Sequence, residues 1–227
     1  MTRIPQPSGE KGSLRAIQTL VNDCPDLFWE RLRQARPDIE RGRWVSPCRD
    51  DQWAEYRDET FLKRLGVAER IKCPLREFWP RGGPQWDALG IAGNGDVLLV
   101  EAKANIPELV SHMNARAASS IAKIGHSLDE VRAHLGCQPR IDWTSGYYQY
   151  VNRVAHLYYL MVKNGIGAWL VNVYFIGDRS VDGPRTADEW HDAIRNMKAD
   201  LGLDKHHELE YRMIDLFIRI EELDIKE

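Results

Sequence analysis

Trp86-Asp87-Ala88-Leu89-Gly90-Ile91, then Gly93-Asn94-Gly95, then Val97-Leu98-Leu99-Val100-Glu101-Ala102-Lys103 is the part of the sequence that decides the fold. Short apolar runs on either side of an Asn-Gly turn read as a β-hairpin. Its strands are expected to run from Gln85 to Ala92 and from Asp96 to Ala104. The unbroken apolar run from Val97 to Val100 is that of a central strand covered on both faces. Side chains alternate along a strand, so Glu101 and Lys103 share a face. Charged groups at the end of a buried strand need either partners or a cleft.

The register of the hairpin decides whether Asp87 joins them. Directly opposed residues of an antiparallel pair share a face. If Asn94-Gly95 alone closed the turn, Asp87 would oppose Ala102 and point away from Glu101. If Gly93-Asn94-Gly95 forms a three-residue loop, Ala92 pairs with Asp96 and Asp87 opposes Glu101. Such loops end on a left-handed residue, which Gly95 supplies at little cost. The register that unites the carboxylates is therefore predicted.

Opposed carboxylates make a hard-oxygen site suited to Mg²⁺ or Mn²⁺. The carbonyl of Ala102 is a further candidate ligand, and Glu55 or Glu59, with Glu59 favoured, would reach the metal from the preceding helix. Such a metal polarises a phosphoryl oxygen and lowers the pKa of a bound water. Lys103 would orient that water or offset transition-state charge.

Outward from the hairpin, residues 1–12 read as a flexible lead. Leu14, Ile17, Leu20 and Val21 have helical spacing, and Pro25 opens a second helix carrying Leu27, Phe28 and Leu32. Pro37 to Pro47 reads as a connection, Asp50 to Leu65 as a helix and Leu75 to Trp79 as the first strand. From Ile106 to Gly146 the chain looks partly helical, with a capping-box pattern at Ser127 and a stop at Gly136. Tyr147 to Lys163 is a helix, Ala168 to Ile176 an apolar strand, Thr186 the cap of another helix, and Met213 to Ile220 a last strand. The order is that of an α/β domain with a mixed sheet.

With these elements in place, Asp87, a hairpin and Glu101-Ala102-Lys103 resemble the PD-(D/E)XK nuclease superfamily. The resemblance covers roughly Asp50 to Gly177. Trp86 stands where that family often has proline, and Arg153 follows Gln149 where its exonuclease branch often has tyrosine. The resemblance implies a restriction-endonuclease-like αβββαβ core, with a mixed central sheet flanked by helices. It divides the chain into N-terminal lead and helices over 1–48 and a nuclease-like domain over 49–227, with a helical insertion at about 105–146. It implies a Mg²⁺-dependent hydrolase acting on nucleic acid, DNA before RNA, with Asp87, Glu101 and Lys103 catalytic. Gln149, Asn152 and Arg153, on one helix face, would contact substrate phosphates. Cutting both strands of a duplex would call for a homodimer.

Composition sets bounds on this. The formal net charge is -3, so any nucleic-acid contact must be local, not a broad basic surface. No apolar stretch suits a membrane span or a signal peptide. The four cysteines form no CxxC pair, which points to a reducing cytoplasm. There is no GxSxG, P-loop or GxGxxG motif. Blander readings stand beside the sharp one: an ion-paired cluster at a sheet end for Asp87, Glu101 and Lys103, a solvated helix face for Glu55 and Glu59, and a polar rim for Gln149, Asn152 and Arg153. A catalytically silent nuclease-fold scaffold is the alternative function, and docking through the 104–146 segment a third.

Overall fold

A computed structural model describes residues 3–223; Met1, Thr2 and residues 224–227, the outermost parts of the two portions delimited above, lie outside the described residues. A five-stranded mixed sheet forms the centre. Its strands, in spatial order, are β2 (Arg43–Ser46), β4 (Ala88–Ile91), β5 (Val97–Lys103), β6 (Ala168–Ile176) and β7 (Met213–Arg219). β2, β4 and β5 form an antiparallel meander, while β6 and β7 run parallel to β5. A separate two-stranded ribbon pairs β1 (Arg3–Ile4) with β3 (Glu55–Tyr56).

Helices cover both faces of the sheet, as the apolar β5 and β6 sequences require. On one face, α1 (Gly12–Asn22) and α2 (Pro25–Ala35) bury Ile17, Leu20, Phe28 and Leu32 against Leu98, Val100, Val171 and Val173. On the other, α5 (Ala118–Leu135), α6 (Tyr148–Tyr158) and α7 (Ala187–Leu201) pack with Leu89, Leu99 and Leu170. The short helices α3 (Glu59–Arg64) and α4 (Leu75–Phe78) complete that second layer. Among the described residues no helix is long and apolar enough to cross a membrane.

The hairpin register is the predicted one. Ala92 N–H donates to the Asp96 carbonyl at 2.8 Å, Gly95 has φ +87°, and Ile91 through Ala88 pair with Val97 through Val100. β6 matches its expected bounds, and Thr186 caps α7 by accepting from Glu189 N–H. Gly136 ends α5 in the left-handed conformation.

Other expectations need correction. Residues 1–12 are not a free lead, because Arg3 and Ile4 pair with β3. Asp50 to Leu65 is not one helix: Gln52, Trp53 and Asp58 all have positive φ, which breaks the run into a 3₁₀ turn, β3 and α3. Leu75–Phe78, read as strand, is helical, with Trp79 the extended residue after it; Leu75 and Phe78 lie one turn apart and both face the core. The sheet's first strand is instead Arg43–Ser46, inside the stretch read as a connection and before residue 49. A register shift between Trp44 and Ser46 leaves it too short and irregular to show an alternating pattern. Ser127 sits inside α5, where its hydroxyl donates to the Phe78 carbonyl rather than capping.

Candidate active site

The site lies where β4 parts from β5. Ala88 and Val100 form the last pair of the ladder, and Asp87, in a bend one residue before β4 rather than inside the strand expected from Gln85, lies near enough to Glu101 to feel its charge. The next residue, Trp86, has left β5: its N–H donates to Tyr56 O and it bridges β3. Ala102 N–H, deprived of that partner, donates to Asp87 Oδ2 at 2.8 Å. A strand residue directs its N–H and C=O toward the same neighbouring strand. The Ala102 carbonyl therefore faces the same fork as its N–H.

Around Glu101 the side chains form a closed ionic cluster. Its carboxylate, 4% exposed, accepts from Lys103 Nζ at 2.6 Å on Oε1 and from Arg153 Nε at 2.7 Å on Oε2. Lys103 Nζ also donates to Gln149 Oε1 at 2.7 Å, and Arg153 Nη2 to the Gln85 carbonyl at 2.9 Å. The Arg153 guanidinium lies 5.1 Å from the Trp86 ring centroid. Burial alone would raise the Glu101 pKa, but the charges of Arg153 and Lys103 outweigh it and hold the carboxyl below its usual range.

Asp87 is in the opposite condition. Burial and the Glu101 charge, with Glu55 adding to them, raise its pKa well above the ordinary value. Its Oδ1 makes no hydrogen bond among the described residues. Glu55, on β3, lines the same cleft; burial and Glu101 push it up to about 7 despite a hydrogen bond from Gln85. Gln6 Nε2 also donates to Glu55 Oε2, at 3.0 Å.

Glu55, Asp87, Gln149 and Arg153 open onto a cleft of about 760 Å³, while Glu101 and Lys103 lie behind it, lining a separate small pocket that Gln149 also borders. The cleft's buried side carries Glu55, Asp87, Asn152 and Arg153, and its exposed rim carries Arg81, His112, Asn114 and Arg116. Asp58 accepts hydrogen bonds from Gly82 N–H at 3.0 Å and Gly83 N–H at 2.9 Å, fixing the loop that forms one wall.

No family model, characterised protein or solved structure matches this chain. Its chemistry rests on the residues themselves.

The structure brings together Asp87, Glu101, Lys103, Gln149 and Arg153, with Asn152 on the cleft that Asp87, Gln149 and Arg153 line. Glu59 is not with them: it pairs with Arg76 at 2.5 Å and lines a different pocket. Glu55 and Glu59 are therefore not neighbours on one helix face; the left-handed Asp58 between them sends Glu55 into the cleft and Glu59 out of it. Sequence reasoning missed Gln85, Gln6 and Asn172. Asn172 had a visible signal, as the only polar residue of the apolar β6. It is in register with Glu101 and donates to Asp215 Oδ1 at 3.0 Å.

Among the described residues, no group of three His, Cys, Asp or Glu is already arranged to hold a metal. The donor set nevertheless fits a hard divalent cation in charge. Asp87 offers an unpartnered oxygen, and the mutual repulsion of Asp87, Glu101 and Glu55 is what a cation relieves.

Proposed function

We propose that this chain is a metal-dependent nuclease of the PD-(D/E)XK type, hydrolysing phosphodiester bonds of nucleic acid, DNA in preference to RNA. The observation that carries this reading is Asp87 beside Glu101 at the strand fork, with Lys103 paired to Glu101 and a cleft that Asp87 lines. The order α2, β2, β4, β5, α6, β6 is compatible with the αβββαβ core of that superfamily. Four free cysteines accord with a reducing, cytoplasmic setting.

A bound Mg²⁺ or Mn²⁺ would supply Lewis-acid polarisation of a phosphoryl oxygen and a lowered pKa for water. Asp87 Oδ1 and the Ala102 carbonyl would hold it, joined by Glu101 Oε2 once Arg153 withdraws. Asp87, whose pKa burial and Glu101 raise, would have to be deprotonated to hold a cation. Lys103 Nζ, fixed by Glu101 and Gln149, donates toward the attacking water or the phosphoryl oxygens. Arg153 lines the cleft and, if freed from Glu101, would meet a substrate phosphate.

A second reading, a catalytically silent scaffold of the same fold, is favoured by one observation. Both Glu101 oxygens already have cationic partners, so the cluster is complete as an ion network. Calorimetric titration of Mg²⁺ or Mn²⁺ into the wild type and Glu101→Gln, followed by assays on oligonucleotides, separates the two. Saturable binding and cleavage, both lost in the variant, support the nuclease. A wild type that neither binds metal with an oligonucleotide present nor cleaves supports the scaffold.

A further inference from the structure

Resting on the nuclease reading, we infer that the cleft takes a single strand of nucleic acid, not an intact duplex. Asp87, partly buried where β4 leaves β5, lines the cleft, and Glu101, 4% exposed, lies behind it. A scissile phosphate must therefore descend into the cleft to reach them. At about 760 Å³ the cleft is the size of pockets that enclose a small organic ligand, ~300–1,000 Å³. That admits a nucleotide or two with their bases unstacked. Enzymes whose reacting atoms cannot reach into a duplex act on single strands or extrude the target nucleotide.

Charge points the same way. Proteins that grip a duplex along its length neutralise about 6–10 phosphates. This chain has a net charge of -3. The exposed cations lining the cleft are Arg81 and Arg116, one on each loop of the rim, and neither makes a salt bridge or hydrogen bond among the described residues. Two such guanidiniums suit the phosphates flanking one central phosphodiester of a short strand.

A third observation concerns base recognition. Asn152 lines the cleft, is 6% exposed, and its Oδ1 has no hydrogen-bond partner among the described residues. A buried amide left open in this way calls for a ligand group or water. The Watson–Crick edge of an unpaired base offers the complementary donors and acceptors, and only a single strand exposes that edge. Tyr148, half-buried on the same surface, supplies a face for stacking.

The test is fluorescence anisotropy of the full chain in EDTA, which prevents metal-dependent hydrolysis, with a labelled 12-nucleotide DNA single strand and the matching blunt duplex. The single strand is expected to bind at least tenfold more tightly. Arg81→Ala and Arg116→Ala should each weaken single-strand binding about tenfold and lower the salt slope by about 0.7. Asn152→Ala should weaken it with the slope unchanged. Equal or tighter binding of the duplex, binding of neither form, or wild-type affinity in both arginine variants overturns the inference. Cleavage assays with Mg²⁺ keep this separate from the nuclease reading: duplex cut faster than single strand leaves the nuclease and removes the inference. Single-strand binding without cleavage does the reverse.

Discussion

Arg153 Nε donates to Glu101 Oε2 at 2.7 Å, and both side chains are almost wholly buried. The guanidinium thus occupies the carboxylate oxygen that the nuclease reading assigns to a metal. Arg153→Met should cost about 3 kcal/mol in urea unfolding, because it leaves the buried Glu101 with Lys103 alone and removes the bond to the Gln85 carbonyl. The same variant should bind Mg²⁺ more tightly by calorimetry, since the competing cation is gone. Unchanged affinity would show that Arg153 does not guard the site.

Glu101→Ala would leave Lys103 and Arg153 both uncompensated, so the fold is not expected to survive that change unweakened. Glu101→Gln keeps hydrogen-bonding capacity and is the better probe. It should remain folded by circular dichroism, lose cleavage by at least 100-fold and lose saturable Mg²⁺ binding. Retained cleavage in that variant would remove Glu101 from the mechanism.

The pH dependence of stability has a definite sign. Glu55 ordinarily titrates at 4.5 and is raised to about 7 in the fold. Between those values the folded chain holds a proton that the unfolded chain has released, so stability falls as pH rises through that window. Asp87, also raised, acts in the same direction. Glu55→Gln should shrink the drop in Tm between pH 5 and pH 7.5; an undiminished drop would place the Glu55 proton elsewhere. Because metal binding expels such protons, Mg²⁺ affinity should rise over the same range.

Asp58→Ala removes the acceptor shared by Gly82 and Gly83 N–H. It should cost about 1–3 kcal/mol and increase amide exchange across the 80–84 loop. Faster exchange confined to other segments would show that the loop is held by something else.

Thr186→Ala, at the cap of α7, serves as a control away from the cleft. It should lower stability by about 1 kcal/mol and leave metal affinity unchanged.

What the sequence made legible follows from how local the determining signal was. The hairpin register could be read because one glycine with positive φ and a short loop fix it, and Asp87 opposite Glu101 followed. β6 and α7 were clear because an unbroken apolar run and a capping Thr are local features. Arg43–Ser46 was missed because a four-residue bulged strand carries no periodicity. The helix drawn over Asp50–Leu65 failed because positive φ at Gln52, Trp53 and Asp58, residues other than glycine, has no sequence signature strong enough to interrupt an amphipathic pattern. Arg153 was placed on the correct helix face. Its partner is 52 positions away in sequence, and only tertiary packing reveals that it meets a carboxylate.

The ribbon that joins Arg3–Ile4 to Glu55–Tyr56, with Gln6 reaching Glu55, ties the start of the chain to a cleft whose far wall is α6. The segments that converge there are far apart along the chain, and closing such long loops is slow. During folding, the local β4–β5 hairpin can bring Asp87 to Glu101 early, whereas Glu55 joins them only when β3 bridges Trp86. The part of the repulsion that Glu55 adds is felt only when these later contacts close. That part of the crowding is thus expected to burden the finished protein more than it delays its formation. Raising the repulsion by substitution should speed unfolding far more than it slows folding.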